Sequence, residues 1–229
     1  MSKIELWIDI NCLRAARLIS GRDETRLALC GVRLEADNDG INYVACDGRR
    51  LLAVRQPVKH DIKNPVAFTI PNYICDLVKA PTKKEPREKL LTYDDTGTPQ
   101  SPTVMFPTTR NAVTLGGCVL GGEFPNWRKV IPLGKLQPVK GACFNSALVA
   151  TFGDVGNILN PPSRFVGTNR GISLWSEDGE NSNCMVVQCD AWRDGSLDVL
   201  ALAMPMRDDQ PTAPAIRDWM LSKEGDSKQ

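Results

Sequence analysis

The chain has 229 residues, of which 42% are hydrophobic and 24% charged, and its formal net charge at pH 7 is +1. This composition is typical of a globular protein of one or two domains and argues against wholesale disorder. The small net charge excludes the strongly basic class of nucleic-acid binders, so any DNA contact must come from local patches. No apolar run reaches the roughly 20 residues of a membrane span. The N-terminus carries Glu5 and Asp9 and does not resemble a secretion signal, so we expect a cytoplasmic protein.

The eight cysteines are scattered along the chain and include no CxxC pair. The closest two, Cys184 and Cys189, have no second pair and no nearby histidine to complete a zinc site. We therefore predict reduced, mostly buried thiols that behave as small hydrophobic side chains, and no metal or cofactor.

One pattern occurs three times: a short apolar strand runs into an Asn and then into apolar residues at helical spacing. The Asn residues are Asn11, Asn72 and Asn145, in IELWIDINCLRAARLI, VAFTIPNYICDLVKA and KGACFNSALVATFGDV. An Asn side chain can accept a hydrogen bond from an unpaired amide in the first helical turn, so each Asn is predicted to cap its helix. The apolar residues behind the caps are Leu13, Ala16 and Ile19; Ile74, Leu77 and Val78; and Leu148, Val149 and Phe152.

Segments predicted as strands follow each helix. They lie at 27–35, 41–46 and 51–55, then at 89–93, 103–106 and 112–120, and finally at 163–167, 171–175, 184–188 and 200–204. The Asp-Asn-Asp-Gly sequence at 37–40 is typical of a hairpin turn. Each unit is then β-α-β-β-β, which predicts an α+β fold with helices on one face of antiparallel sheets. Because one short helix on a small sheet cannot bury its apolar stripe alone, the units are expected to pair.

The end of the chain differs in composition from the rest. From Asp208 onward, Asp, Pro, Ser and Lys predominate, which predicts a flexible tail over 208–229. Within it, four apolar residues are spaced for one short amphipathic turn: Ile216, Trp219, Met220 and Leu221. Segments 81–87 and 96–102 are predicted as surface loops.

Three motifs carry a resemblance to a known family: VACDGRRLLAV at 44–54, GGEFPNWRKVIP at 121–132 and ALAMPMR at 201–207. They are similar to the patterns ATDG-x-RLA, FPDY-x-x-x-IP and terminal MPMR of the bacterial sliding clamp, the β subunit of DNA polymerase III. Each motif alone is weak, but together they follow the family's order, with matching strand and helix patterns between them. The resemblance covers residues 23–207 and includes TRLALCGVRLE at 25–35.

The resemblance implies a shortened DNA-clamp fold. A bacterial clamp protomer has three domains of two β-α-β-β-β units each, whereas this chain has three units. By resemblance, residues 1–134 form one complete clamp-like domain, 135–207 form a half domain, and 208–229 form the tail. Three units do not support a ring made by the usual dimer. We therefore hypothesise a homo-oligomer, in which four chains would supply the twelve units of a ring.

In clamps, the middle and last domains meet at a hydrophobic pocket that binds short peptide tails of polymerases and other DNA-processing proteins. The resemblance implies that this pocket is formed here by Leu29, Cys46, Gly48, Arg49, Arg50, Leu51, Pro125, Val130, Leu202 and Met204. Apolar side chains would form a deformable well, the glycine would let a peptide backbone approach, and the arginines could hold carboxylates. The alternative is that DGRR is only a tight turn with solvated arginines and FPNW only a loop anchored by aromatic packing.

Clamp helices line the central hole and carry basic residues that touch DNA phosphates loosely. The resemblance implies six candidates for this contact: Arg14, Arg17, Arg22, Lys79, Lys83 and Lys84. A solvated helix face explains these charges equally well, and the third predicted helix has no Lys or Arg. Double-stranded DNA is therefore a candidate partner, beside polymerase-type proteins that carry clamp-binding peptides.

No catalytic motif is present in the sequence. His60 is the only histidine and lies in a polar connector, and there is no GxSxG, no GxxxxGK[ST] and no paired-histidine motif. We predict a non-enzymatic, clamp-like DNA replication accessory protein of phage or plasmid origin. Two alternatives stay open: a regulatory decoy that never encircles DNA and sequesters clamp-binding peptides, and a nucleoid-type DNA binder, which the low net charge disfavours.

Overall fold

The computed structural model describes residues 3–62, 64–82, 85–95, 103–107, 114–139, 144–161, 171–177, 184–189 and 197–205. The first unit consists of β1 (Lys3–Asp9), α1 (Ile10–Ile19), β2 (Gly31–Asp37), β3 (Gly40–Cys46) and β4 (Arg50–Gln56). The second consists of β5 (Val66–Pro71), α2 (Asn72–Leu77), β6 (Glu88–Asp94), β7 (Thr103–Pro107) and β8 (Thr114–Cys118). The third consists of β9 (Gln137–Pro138), α3 (Ser146–Leu159), β10 (Ile172–Ser176), β11 (Met185–Cys189) and β12 (Asp198–Ala203).

The strands form two antiparallel sheets. A four-stranded sheet has the order β1-β6-β7-β8, and an eight-stranded sheet has the order β5-β2-β3-β4-β12-β11-β10-β9. The leading strand of each of the first two units pairs with the sheet of the other unit, β1 with β6 and β5 with β2. This exchange ties the two units together, as their predicted pairing requires.

The third unit joins the first through the pairing of β12 with β4. The register sets Leu202 opposite Leu51 and Ala203 opposite Arg50, so the sheet continues across this junction without a break. The division of the chain at 134/135 stays a prediction.

The eight-stranded sheet has a covered face and an outer face. Because side chains alternate along a strand, Tyr43, Leu52 and Ala201 face the main core, where α1 and α3 contact β3, β4, β11 and β12. The next residue along each of these strands points to the outer face. These residues, Val44, Ala53 and Leu202, belong to a second apolar cluster. The outer face therefore also carries apolar side chains that need a cover.

Only one of the three predicted Asn caps is confirmed. Asn145 accepts a hydrogen bond from the amide of Ala147 at 3.0 Å and caps α3. The prediction for Asn11 is wrong because the Asp9 carboxylate, two residues earlier, accepts from the first-turn amides of α1 at 2.7 and 3.4 Å. The prediction for Asn72 is also wrong: it is the first residue of α2, and its side-chain Nδ2 donates to the carbonyl of Gly21 at 2.7 Å.

The predicted strand 27–35 is partly wrong. Residues Glu24–Leu29 form 3₁₀ turns, and β2 begins only at Gly31. The reason is local, since the Asp23 carboxylate accepts from the Thr25 amide at 3.0 Å and starts a turn there. The hairpin at 37–40 is confirmed by the pairing of Asp37 with Gly40.

Several other predictions fall wholly or partly outside the described residues: strand 163–167, most of the short apolar strand that runs into Asn145, part of strand 112–120, and the tail 208–229. Among the described cysteines, Cys12, Cys75 and Cys189 are buried as predicted, whereas Cys118 is exposed. Within the same part of the chain, no helix combines the length and apolar character needed to cross a membrane.

Candidate functional site

A cavity of about 230 Å³ opens on the outer face of the eight-stranded sheet, at the junction of β4 and β12. Three segments surround it: the turn between β3 and β4, the loop that carries the FPNW sequence, and the end of β12 with the residue that follows. These are the three motifs on which the clamp resemblance rests, although they are far apart in the sequence.

The floor of the cavity is apolar. Leu51 and Leu202 are Cα partners on neighbouring strands, and they are only 5% and 2% exposed. Leu29, Val44 and Phe124 belong to the same buried cluster. Because these side chains pack against one another, the floor of the cavity is formed without a bound ligand.

The rim of the cavity exposes apolar surface to solvent. Met204 is 46% exposed and Val130 is 45% exposed, and Pro125 is also exposed. The amide of Met204 donates to the carbonyl of Arg49 at 2.8 Å, which fixes the backbone of Met204 beside the β3–β4 turn. A flexible thioether on a fixed backbone can adapt to guest side chains of different shapes.

The turn between β3 and β4 is held by one carboxylate. Asp47 accepts from the amides of Arg49 and Arg50 at 2.8 and 2.7 Å, and from the Arg50 guanidinium at 3.0 and 2.8 Å. Arg50 is therefore already paired with Asp47, and its contact with a carboxylate of a bound peptide stays a prediction. Arg49 is exposed and keeps its side chain at the rim.

Gly48 occupies a position where only glycine is unstrained. Its φ is +89°, and a Cβ built there would lie 2.5 Å from Nη1 of Arg26. The Arg26 side chain thus lies against the glycine, and it also lines the cavity. Arg26 and Arg49 together place two guanidinium groups around an apolar well.

The FPNW loop is anchored to the sheet as well as lining the cavity. Nε1 of Trp127 donates to Oε1 of Glu35 at 3.3 Å, and the Arg128 guanidinium pairs with Oε2 of Glu35 at 2.7 Å. The same guanidinium lies 4.2 Å from the centroid of a Trp127 ring. The reading of this segment as a loop anchored by aromatic packing therefore holds, and it is compatible with a role in the cavity wall.

Two cysteine side chains face the cavity. Burial raises the pKa of the Cys46 thiol, which also accepts a hydrogen bond from the Gly48 amide at 3.2 Å. Burial likewise raises the pKa of the Cys184 thiol. Both side chains are therefore neutral near pH 7 and add to the apolar lining.

The structure places nine of the ten predicted pocket residues around this one cavity, and Leu29 lies in the buried cluster beside it. Their role in peptide binding stays a prediction. The cavity also includes residues that the sequence analysis did not select: Arg26, Phe124, Asn126, Trp127, Cys184 and Ala203. Three of these lie inside the FPNW motif, whereas nothing in the sequence points to Cys184, which the β-sheet alone brings to this position.

The candidate DNA-contact residues differ in burial and in their ion pairs. Arg17 donates to both carboxylate oxygens of Asp76 at 2.9 Å and so links α1 to α2. Arg14 is partly buried, whereas Arg22 and Lys79 are exposed. Lys83 and Lys84 lie outside the described residues.

A second, larger groove of about 730 Å³ lies further along the same face of the sheet. Trp127 borders both it and the cavity, and Trp175 and Leu136 form part of its wall. The indole Nε1 of Trp175 donates to Ser173 at 3.2 Å, so this donor is used within the protein.

The fold is similar to solved structures of sliding clamps. The DNA polymerase sliding clamp from Bacillus subtilis matches with a TM-score of 0.56 at 16% identity, covering 90% of this chain and 64% of that one. The clamp from Pseudomonas aeruginosa matches with a TM-score of 0.57 at 15% identity, covering 89% and 67%. The DNA polymerase III beta subunit from Thermotoga maritima matches with a TM-score of 0.57 at 16% identity, covering 90% and 66%. The sequence matches no protein-family profile and no curated protein.

These identities are low, so the likeness concerns the fold. The chain spans 64% of the length of the Bacillus subtilis clamp, in agreement with the shortened form that the motifs predicted. The α+β class and the repeated β-α-β-β-β units are confirmed by the strand order. Over about 90% of its length, this chain has the fold of roughly two thirds of a bacterial DNA polymerase sliding clamp.

Proposed function

We propose that this chain is a non-enzymatic, sliding-clamp-like DNA replication accessory protein that acts in the cytoplasm. Its cavity beside β4 and β12 captures short peptide tails of polymerase-type partners. The observation that carries the proposal is the cavity: a buried floor of Leu51 and Leu202 under an exposed apolar rim that includes Met204. Its position at the junction of three clamp-like motifs on a clamp fold supports this use.

The expected affinity follows from the burial of apolar side chains. Two guest side chains would each contribute about 1.5–3 kcal/mol if fully buried, and ordering the peptide opposes part of that gain. The two side chains together give about 3–6 kcal/mol, so a micromolar dissociation constant, equivalent to roughly 8 kcal/mol at 1 μM, requires further contacts from the rest of the peptide. Such weak binding suits a site that exchanges partners.

The test is a titration with a fluorescein-labelled peptide from the C-terminal tail of a bacterial replicative DNA polymerase, followed by fluorescence anisotropy. Met204→Ala and Val130→Ala remove exposed rim surface without touching the core. Together they should weaken binding by tenfold or more, because each buried methylene is worth about 0.8 kcal/mol. Leu133→Ala is the matched control, since Leu133 is 92% exposed and does not line the cavity. Equal affinities for all variants would show that the peptide binds elsewhere.

Encirclement of DNA by a homo-oligomer is the extended form of this proposal. It predicts retention on closed circular DNA and release when the circle is cut, in a gel-filtration assay with labelled protein. Binding to linear duplex that falls steeply with salt would instead indicate a DNA binder of the nucleoid type.

A second candidate function, the decoy that sequesters clamp-binding peptides without encircling DNA, is favoured by the charges on the helices. Arg17 is held by Asp76, and α3 carries Asp154 but no Lys or Arg. These helices therefore offer few free cations to phosphates. Peptide binding with no retention on circular DNA would support the decoy, and retention would exclude it.

A further inference from the structure

We propose that the cavity is regulated by the chain's own C-terminal segment, with residues 216–221 as a tethered competitor for the peptide site. This inference rests on the proposed function, because it treats the cavity as a peptide site. It goes further by naming a specific occupant and predicting that the occupant controls access for other peptides.

The first support is the point at which the chain leaves the sheet. Met204 forms part of the cavity rim, and the described chain ends one residue later at Pro205. Whatever follows Pro205 therefore starts at the mouth of the cavity. Ten residues, 206–215, separate this point from Ile216. Fully extended, they span up to roughly 33–36 Å, which is ample for a return to the mouth of a 230 Å³ cavity.

The second support is complementarity. The segment Ile-Arg-Asp-Trp-Met-Leu at 216–221 holds apolar side chains of the kind that the floor of Leu51 and Leu202 accepts. It also holds one carboxylate, Asp218, next to Trp219. The neighbouring Arg217 makes the segment neutral overall, but Arg26 and Arg49, the cavity guanidinium groups not committed to Asp47, can still pair with the Asp218 carboxylate. Trp and Met contribute large contact areas when they are buried.

The consequence is a weaker apparent affinity of the cavity for other peptides. A short tether raises the local concentration of the segment into the millimolar range. If the segment alone binds with a dissociation constant of tens of micromolar, it occupies the site most of the time. An incoming peptide then binds about tenfold or more weakly than it would to an open site, because only the open fraction is competent.

The experiment uses the full chain and the same labelled polymerase-tail peptide. The double substitution Trp219→Ser and Leu221→Ser is compared with the unchanged chain, and Lys223→Ser serves as a control outside the apolar turn. We expect the double variant to bind the peptide about tenfold more tightly, and Lys223→Ser to leave the affinity unchanged. A synthetic peptide of residues 212–224, added in solution to the double variant, should compete with the labelled peptide.

The outcomes separate the two proposals. If the unchanged chain and the double variant bind the labelled peptide equally, self-occupancy is wrong and the peptide site stands. If neither binds it, the proposed function is wrong and the regulation falls with it. If the gain in affinity depends on protein concentration and gel filtration reveals a dimer, the segment occupies a second copy, and the same-chain form of the inference is overturned.

Discussion

Substitution of Gly48 tests whether backbone strain or side-chain crowding governs the turn beside the cavity. The residue has φ +89°, where an L side chain is strained, and strain of this kind costs about 1–3 kcal/mol. A Cβ would also approach Nη1 of Arg26 to 2.5 Å, but that atom is the far end of a flexible side chain and can move at small cost. We therefore expect Gly48→Ala to lower the free energy of unfolding by about 1–3 kcal/mol, mainly through strain.

The magnitude converts directly into a thermal shift. For a chain of this size, each kcal/mol lowers Tm by about 2–4 °C, so Gly48→Ala should lower it by roughly 2–12 °C in scanning calorimetry. Gly48→Asn separates the two causes because Asn tolerates positive φ better than Ala does. If strain dominates, the larger Asn costs less than Ala. If crowding dominates, Asn costs more, and removing the guanidinium with Arg26→Ala rescues both variants.

The control is Gly121→Ala. A Cβ at Gly121 meets nothing within 4 Å, so this substitution should leave stability unchanged or raise it slightly. An unchanged Tm for Gly48→Ala would refute the reasoning about the turn. The conformation of the β3–β4 turn beside the cavity would then not depend on a glycine at position 48.

Two further predictions concern the core. Phe152→Ala removes a fully buried ring where α3 packs against the core. It should lower the free energy of unfolding, measured by urea titration, by about 3–5 kcal/mol. The adjacent Gly153→Ala is the control: its Cβ would meet nothing within 4 Å, and it should raise the free energy of unfolding by about 0.5–1 kcal/mol. Burial raises the pKa of the Cys75 thiol from 9.0 to about 12, so the folded state favours the protonated form. Cys75 therefore contributes stability below pH 9 that is lost between pH 9 and 12, about 4 kcal/mol at 1.36 kcal/mol per pH unit. The difference in unfolding free energy between the natural chain and Cys75→Ala should follow this loss, and an identical pH dependence for both proteins would contradict the assignment.

The sequence was sufficient for the repeat and for most of the strands because apolar periodicity and turn chemistry are local signals. The N-cap predictions failed where another residue capped the helix or where the Asn made a different hydrogen bond. Asn11 follows a strand as an N-cap would, but Asp9 reaches the free amides first. Asn72 is used to bind the Gly21 carbonyl, a contact 51 residues away in the sequence that no local pattern reveals.

The candidate site shows the same division between local and non-local information. The three motifs predicted nine of the residues around the cavity, because each motif contributes its own segment of the wall. Cys184 and Arg26 were missed because Cys184 directly precedes β11 and Arg26 lies in the 3₁₀ turns before β2. The pairing of Arg17 with Asp76 was missed because it links two helices, and it changes the interpretation of the helix charges.

The edge of the third unit bears on whether a second chain could complete that unit. In the first unit, the edge of β2 is covered by β5, which comes from the second unit. At the equivalent place in the third unit, the edge of β10 is paired with β9 of the same unit, through Trp175 opposite Pro138 and a bond from the Val139 amide to the Leu174 carbonyl at 3.0 Å. A two-residue strand that ends in proline is a short, blunted edge of the kind that resists pairing with another chain. A ring in which a second chain completes the third unit would first have to displace β9. The geometry thus favours oligomer contacts through other surfaces over a ring that is completed at this edge.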